Sequence, residues 1–203
     1  MIALAKPPNE TFFAHPHALV ESREIGVRTR VWAFAHVMAG AKIGSDCNIG
    51  EHSFIESGAV IGNGVVVKNG VSLWSGITIE DNVFLGPNCV LTNDPNPRAN
   101  VRKSPGLTVI RANASIGANA TILCGLTIGR FAFVGAGAVV LRSVPDFGLM
   151  VGNPARQIGW MCACANKLLL PVLPSAGDQG ICRHCERQFV VEIREEAITV
   201  KEA

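Results

Sequence analysis

Four cysteines near the end of the chain are spaced in a way that could bind a metal ion. One residue separates Cys162 from Cys164, and two residues separate Cys182 from Cys185. Four thiolates suit tetrahedral zinc, and the pattern is that of a zinc ribbon whose first knuckle is one residue shorter than usual. The segment predicts either a structural zinc site or a ribbon that has lost its ion. It does not predict catalysis, because four cysteine ligands leave no open coordination position.

A second stretch that could do chemistry lies in the middle of the chain, VLTNDPNPRANVRKSPGLTVI from Val90 onward. It is polar and rich in turn-forming residues, so it cannot belong to a hydrophobic core. Asn93, Asp94 and Arg98 lie in it, but no histidine does. We expect a surface loop over residues 93–106, the kind of segment in which binding and catalytic groups are usually held on a rigid scaffold.

The loop interrupts a six-residue rhythm of branched aliphatic side chains. The first run comprises Leu19, Ile25, Val31, Val37, Ile43, Ile49, Ile55, Ile61, Val67, Leu73, Ile79, Leu85 and Leu91. The second comprises Ile110, Ile116, Ile122, Ile128, Val134 and Val140. A period of six fits neither an amphipathic helix nor simple strand alternation, but suits short parallel strands joined by tight corners. The rhythm predicts an all-β parallel β-helix.

This pattern resembles the hexapeptide-repeat acyltransferases, whose hexads form a left-handed β-helix of triangular section. The resemblance implies three hexads per coil, so we expect roughly six coils stacked about 4.8 Å apart. The expected organisation is an N-terminal segment (1–17), the β-helix with its loop (18–145), a terminal turn of the acyltransferase domain (146–160), and a small Cys-rich module with a tail (161–203).

The end of the repeat region, AVVLRSVPDFGLMVGNPARQIG from Ala138 to Gly159, is similar to the terminal signature of CoA-dependent members of that family. The similarity implies that acetyl-CoA is the co-substrate and that Gly135, Ala136, Gly137, Pro154 and Arg156 contact it. Small side chains would let backbone amides approach the pantetheine, and Arg156 offers a fixed charge for a CoA phosphate.

Further motifs resemble the nucleotide-amino-sugar N-acetyltransferases: HPHALVES, RVWAFAHV, VKNGVSLWSG and EDNVFLGPNCVLTNDPNPR. The best match is to the branch that acetylates the 3-amino group of UDP-2-acetamido-3-amino-2,3-dideoxyglucuronate for lipopolysaccharide and O-antigen biosynthesis. The alternatives are a dTDP-3-amino-3,6-dideoxyhexose or another nucleotide amino sugar. Within the resemblance, Lys68, Asn69, Arg98, Asp94, Glu56 and Trp74 are the candidate substrate-binding residues.

Many related acetyltransferases use a histidine in the loop as general base, and this chain departs from that pattern. A sugar amine should titrate near about 7.7 to 8.0, like an α-amino group, so a useful fraction is neutral at physiological pH. We therefore expect Asn93 to orient the attacking amine through its side-chain carbonyl. The alternatives are that Asn93 only forms the turn, or that His36 is the base.

Outward positions on the wall carry apolar side chains such as Phe54, Trp74, Val66 and Phe84. Exposed apolar columns indicate a covered surface, and the resemblance implies a homotrimer with active sites between subunits. The alternative for Trp32 and Trp74 is that each merely covers the wall of its own prism.

Composition narrows the remaining classes. The 203 residues are 48% hydrophobic and carry a formal charge of +2, with no basic block, which argues against a nucleic-acid partner. We see no signal peptide or membrane span and expect a cytoplasmic protein whose cysteines stay reduced. A γ-type carbonic anhydrase would need three histidines, whereas the hexads offer only His36 and His52. A non-catalytic binding scaffold remains the remote alternative.

Overall fold

The computed structural model describes residues 11–101, 103–194 and 197–203. The expected N-terminal segment, loop and module therefore each include positions outside the described residues, namely 1–10, 102 and 195–196. Within the described ranges all regular structure is β, and no helix exists that could cross a bilayer. The predicted fold class, an all-β parallel β-helix with one loop and a Cys-rich end, is confirmed.

The strands are short and follow one another closely along the chain. The first group is β1 (Phe13–Ala14), β2 (Leu19–Val20), β3 (Glu24–Ile25), β4 (Arg30–Val31), β5 (His36–Val37), β6 (Lys42–Ile43), β7 (Asn48–Ile49), β8 (Phe54–Ile55) and β9 (Val60–Ile61). The second is β10 (Val66–Val67), β11 (Ser72–Leu73), β12 (Ile77–Ile79), β13 (Phe84–Leu85), β14 (Val90–Leu91), β15 (Thr108–Ile110), β16 (Ser115–Ile116), β17 (Thr121–Ile122), β18 (Thr127–Ile128), β19 (Phe133–Val134) and β20 (Val139–Val140). The last is β21 (Gly148–Val151), β22 (Arg156–Trp160), β23 (Gln179–Ile181), β24 (Gln188–Arg194) and β25 (Ala197–Glu202).

Every third strand stacks in parallel, which gives three sheets around one axis. The first sheet has the order β1-β4-β7-β10-β13-β16-β19-β21-β22, the second β2-β5-β8-β11-β14-β17-β20 and the third β18-β15-β12-β9-β6-β3. The exception is β22, which pairs antiparallel with β21 at the end of the first sheet. Within the second sheet His36 pairs with Phe54 and Phe54 with Ser72, so residues eighteen apart lie one above another. The stack is longer than the expected roughly six coils, because β1 and β21 extend it beyond the hexads.

The hexad aliphatics fill the interior. Val31, Ile55, Leu91, Ile110 and Val140 are all fully buried, and each such side chain contributes about 1.5–3 kcal/mol by leaving water. The corners are tight as well. A Cβ on Gly44 would lie 2.5 Å from the carbonyl oxygen of Gly62 in the next coil, so a larger side chain would push the coils apart.

The expected register is wrong at its first position. Leu19 is 55% exposed and pairs with His36 on the outer face, while Val20 lies opposite the buried Val37. The step from Val20 to Ile25 is five residues, one fewer than the six that separate successive hexad aliphatics. Ser22 turns inward there, and its hydroxyl donates to the carbonyl oxygen of Ala41 at 2.6 Å. The regular hexads therefore begin at Ile25.

The Cys-rich end forms a second small core against the last coil. Its three-stranded sheet is antiparallel in the order β23-β24-β25. Phe147 and Trp160 from the last coil pack with Phe189 of β24. The ring of Phe147 stacks on Phe131 at 5.1 Å and meets Phe189 edge-on at 5.4 Å, so a chain of aromatic rings joins the module to the prism.

Candidate active site

The loop predicted from the break in register leaves and rejoins the wall at one point. Asn93 follows β14, and its carbonyl oxygen accepts the N–H of Gly106 at 2.9 Å. Beside it, Thr92 Oγ1 accepts the N–H of Cys124 from the next coil at 2.9 Å. The Asn93 side chain is half-buried, and no described residue hydrogen bonds with its amide. Its backbone is thus fixed while its side chain stays available to a ligand.

Inside the loop, Asp94 organises the chain. Its carboxylate accepts the N–H of Asn96 at 2.8 Å and lies 3.6 Å from the ammonium of Lys103. Lys103 also donates to the carbonyl oxygen of Asn96 at 2.8 Å. Arg98 is exposed and pairs through its backbone with Val101. Asp94 is therefore engaged within the loop, and Arg98 is a cation with no described partner.

Directly beneath Asn93, one coil earlier, lies the turn that contains Trp74 and Ser75. The carboxylate of Glu56 accepts the N–H of Ser75 at 2.7 Å. Trp74 is half-buried, packs against the prism core and lies 5.5 Å from the ring of Phe54. Three predicted site residues, Glu56, Trp74 and Asn93, thus lie on the same corner of the prism, the corner that joins the second sheet to the third. We call this corner the loop edge.

Above Asn93 the loop edge continues through Cys124 to Arg142. The register of β14 with β17 and of β17 with β20 places these three residues in one column, so Arg142 lies two coils, roughly 10 Å, from Asn93. An open cleft of about 370 Å³ lies there, lined by Leu141, Arg142, Ser143, Pro145, Met150, Pro154, Ala155, Arg156 and Gln157. The exposed Arg156 donates to the carbonyl oxygen of Ala155 at 3.0 Å. Two predicted acetyl-CoA residues, Pro154 and Arg156, therefore lie on the same edge as the predicted catalytic asparagine.

The other predicted acetyl-CoA residues lie elsewhere. Gly135, Ala136 and Gly137 form the turn after β19, on the corner that joins the first sheet to the second, which we call the glycine edge. The N–H of Gly135 donates to Met150 and that of Gly137 to Ala118, each at 2.8 Å. Only Ala136 of the three has an amide N–H without an acceptor among the described residues. We expected several backbone amides to face the pantetheine. Ala136 alone of the three is left for this contact, because the N–H groups of Gly135 and Gly137 hydrogen bond to neighbouring coils.

Lys68 and Asn69 lie on the glycine edge too, so one chain does not bring them to Asn93. Asn69 Oδ1 accepts the N–H of Glu51 at 3.3 Å, and its carbonyl oxygen accepts the N–H of Asn88 at 3.0 Å. Asn69 is therefore part of the contacts between coils. Lys68 is exposed, and its ammonium has no partner within the part of the chain that the structure describes.

His36 lies on the outer face of the second sheet, three strands from β14. That separation is roughly 14 Å, so within one chain His36 and Asn93 cannot act on the same atom. Its Nε2 is 3.1 Å from a carboxylate oxygen of Glu21, and its ring meets Phe54 edge-on at 5.4 Å. In one chain, His36 therefore contacts other side chains of the outer face of the second sheet and not the loop.

Two residues of the loop edge were missed by the sequence reasoning, Cys124 and Arg142. Each stacks above Asn93, but the loop adds thirteen residues to the spacing, so that thirty-one positions, rather than eighteen, separate Asn93 from Cys124. Continuing the column across the interruption would have found both.

The four predicted metal-ligating cysteines lie together in the module. The four Sγ atoms of Cys162, Cys164, Cys182 and Cys185 are all within 4.8 Å of one another. Cys162 and Cys182 are buried, and Cys164 and Cys185 are half-buried.

Comparison with known proteins agrees with the repeat fold. The model of the bacterial transferase hexapeptide, built from six repeats, matches residues 24–57, 58–93 and 107–142, and thus leaves out the loop. The chain belongs to the bacterial hexapeptide-repeat transferases. This transferase is 53% identical over 182 residues to the dTDP-3-amino-3,6-dideoxy-α-D-galactopyranose 3-N-acetyltransferase of Aneurinibacillus thermoaerophilus, an alignment that covers 89% of this chain and 92% of that protein.

Two solved structures share the transferase fold. The acetyltransferase domain of PglB from Neisseria gonorrhoeae is 24% identical, with a TM-score of 0.52. A perosamine N-acetyltransferase from Caulobacter crescentus in complex with CoA and GDP-perosamine is 25% identical, with a TM-score of 0.50. Each match covers 74% of this chain and 58% of the other.

Proposed function

We propose that the protein transfers acetyl from acetyl-CoA to the amino group of a nucleotide-linked 3-amino sugar, and that a dTDP-3-amino-3,6-dideoxyhexose is the preferred substrate. The observation that carries this proposal is the 53% identity to the dTDP-3-amino-3,6-dideoxy-α-D-galactopyranose enzyme over nearly the whole length of both chains. That relative supports the dTDP-sugar alternative better than the UDP-2-acetamido-3-amino-2,3-dideoxyglucuronate first expected from the motifs.

The chemistry of the sugar also favours this choice. A glucuronate carries a carboxylate that must be paired with a cation when it leaves water, whereas a 6-deoxy sugar carries a methyl group. In the loop, Lys103 is already engaged by Asp94 and by the carbonyl oxygen of Asn96. Among the loop residues that the structure describes, Arg98 is the cation left for a carboxylate or a phosphate, and a diphosphate needs it in either substrate.

In the proposed reaction, the neutral sugar amine attacks the thioester carbonyl carbon of acetyl-CoA. The C–N bond forms, the C–S bond breaks, and the CoA thiolate takes up the proton that the nitrogen loses. Asn93 Oδ1 accepts a hydrogen bond from an N–H of the amine. This hydrogen bond directs the lone pair of the amine nitrogen at the thioester carbonyl carbon. Orientation of this kind supplies much of the rate when the amine needs no strong base.

Acetyl-CoA is proposed to lie along the loop edge. Its phosphates would bind near Arg156 and Arg142 in the cleft beside Pro154, and the pantetheine would run roughly 10 Å down the wall past Cys124 to Asn93. Glu56 and Trp74 would then contact the sugar from the coil below.

A homotrimer would complete this site. Outward side chains of the first and second sheets include exposed apolar residues, with Leu19 at 55%, Val90 at 49% and Phe84 at 38%. The outer column of the third sheet begins instead with Glu24 and Lys42, which form an ion pair at 2.9 Å. We propose that the glycine edge of a neighbouring copy faces the loop edge and brings Ala136, Gly137 and Lys68 to the same cleft.

The test is to incubate the protein with acetyl-CoA and a panel of nucleotide sugars while measuring CoA thiol release. The panel contains dTDP-3-amino-3,6-dideoxy-galactose and -glucose, a dTDP-4-amino sugar, and UDP-2-acetamido-3-amino-2,3-dideoxyglucuronate. The proposal expects the highest kcat/KM for one of the two dTDP-3-amino sugars. A higher kcat/KM for the UDP-sugar would assign the protein to the glucuronate branch instead. If no sugar of the panel causes release of CoA thiol, the protein is better described as a non-catalytic binding scaffold.

A further inference from the structure

The cysteine cluster has the dimensions of a metal site. The Sγ atoms of Cys162 and Cys185 are 3.5 Å apart, as are those of Cys164 and Cys182, and all four lie within 4.8 Å of one another. Zinc–sulfur bonds of about 2.3 Å place the corners of a tetrahedron about 3.8 Å apart. Disulfide sulfurs would be only about 2.05 Å apart, and all four cysteines are free.

The turns of the two cysteine pairs close in a similar way, each with an N–H bonded back to the carbonyl oxygen of the first cysteine, although the first turn spans one residue fewer. In the first knuckle the N–H of Ala165 donates to the carbonyl oxygen of Cys162 at 2.9 Å, and in the second that of Glu186 donates to Cys182 at 2.8 Å. Ala165 and Glu186 each follow the second cysteine of their pair, and both are left-handed, with φ of 63° and 60°. The two turns thus end in the same left-handed conformation, although one pair is a residue shorter than the other.

One sulfur also has a donor that suits a thiolate. The side-chain amide of Asn166 donates to Sγ of Cys164 at 3.5 Å and to its carbonyl oxygen at 3.3 Å. An N–H directed at sulfur stabilises the charged form of the ligand and fixes its orientation.

The cysteine cluster lies in a module whose own apolar core is small. Its apolar core contains few large side chains of its own, chiefly Leu168 and Phe189, and it relies on Phe147 and Trp160 of the last coil. Segments this small usually need a metal or disulfides to fold, because their cores bury too little surface. A solenoid also needs a structure that closes its last repeat.

We propose that Cys162, Cys164, Cys182 and Cys185 bind one Zn²⁺ as thiolates, and that this ion holds the module as a cap on the last coil of the prism. Each thiol that binds gives up its proton to solvent, so the ion is held by four negatively charged sulfurs. The role is structural, because four sulfur ligands leave no position for water or substrate.

The first experiment measures the metal in full-length protein purified without chelator in reducing buffer. Elemental analysis should find about one zinc per chain. Replacing zinc by Co²⁺ should produce the thiolate charge-transfer and d–d absorption bands of a tetrahedral tetrathiolate site. Cys182→Ser should lose most of the zinc, while Cys124→Ser, which removes a cysteine outside the cluster, should keep it.

The second experiment tests the capping role in wild-type protein, so it does not depend on whether a variant folds. Chelation should increase backbone hydrogen exchange in β23 and β24 and leave β15 to β19 unchanged. Three results would overturn the proposal: no zinc after reconstitution with Zn²⁺, stoichiometric iron, or disulfides joining Cys162 to Cys185 and Cys164 to Cys182. An exchange pattern that chelation does not alter would refute the capping role. None of these readouts uses acetyl transfer, so failure here is separate from failure of the proposed function.

Discussion

Gly106 donates its backbone N–H to the carbonyl oxygen of Asn93 across 2.9 Å, although residues 94–105 lie between them. The hydrogen bond closes the loop at its base. As a result, Asn93 is held at the wall of the prism, at the point where the loop begins and ends.

Asn93→Ala should lower kcat by roughly 100-fold, because misplacement of the amine by about 1 Å has a cost of that size. Binding of acetyl-CoA, measured by calorimetry, should stay close to wild type. Asn96→Ala is the matched control: its side chain is exposed in the same loop and only its backbone is used. Turnover near wild type in Asn93→Ala would show that this residue only forms the turn.

His36→Asn should leave the pH profile intact. The rate should rise through the pKa of the substrate amine in wild type, in His36→Asn and, at a lower level, in Asn93→Ala. The reason is that His36 is held by Glu21 and lies roughly 14 Å from Asn93 within one chain. Initial rates between about pH 6 and 9 test this. Loss of the alkaline rise in His36→Asn alone would transfer the base role to the histidine of a neighbouring copy.

Arg156→Ala should weaken acetyl-CoA binding about tenfold, the range expected for one charged hydrogen bond. The kcat at saturating acetyl-CoA should change little. Arg130→Ala is the control, because that guanidinium faces Glu80 at 3.8 Å on another corner of the prism. Equal losses in both variants would point to a general charge effect and not to a bound phosphate.

Acetyl-CoA should protect Cys124 from alkylation. Cys124 is half-exposed on the loop edge directly above Asn93, where the proposed pantetheine passes. Cys89 is an internal reference, because burial raises the pKa of its thiol to about 12 and it should stay unmodified near pH 8. Peptide mapping after iodoacetamide treatment gives both rates. If saturating acetyl-CoA does not slow modification of Cys124, the donor takes another route.

Phe84→Glu should shift the trimer toward monomer, because a charge buried in an apolar contact without a partner is costly. Val60→Glu is the matched control, and it should leave the trimer intact. Both side chains are 38% exposed, but Val60 lies on the third sheet between Lys42 and Thr78. Light scattering after size exclusion measures both variants. Phe84 is a cleaner choice than Trp74, which packs against the core of its own chain. A monomeric wild type would refute the assembly.

The sequence predicted the prism well because one repeated geometry fixed each hexad in the same way. It failed at Leu19, where a corner shorter by one residue reversed which of Leu19 and Val20 faces inward. It also grouped Lys68 with Trp74, although β11 runs between them and places the two on different edges. Hydrogen bonds between coils decide which backbone N–H groups near Gly135 remain without an acceptor. The spacing of residues in the sequence does not predict those hydrogen bonds.

The column from Asn93 through Cys124 to Arg142 also fixes the distance between the loop and the cleft. Each coil adds about 4.8 Å, so in the proposed binding mode of acetyl-CoA the number of coils between the loop and the cleft sets the distance from the bound phosphate to the thioester. Inserting one further coil above Asn93 would leave every hexad satisfied and the core intact. The acetyl group would nevertheless stop one strand spacing short of the amine, so a protein of this kind could be fully folded, bind both substrates and still fail to join them.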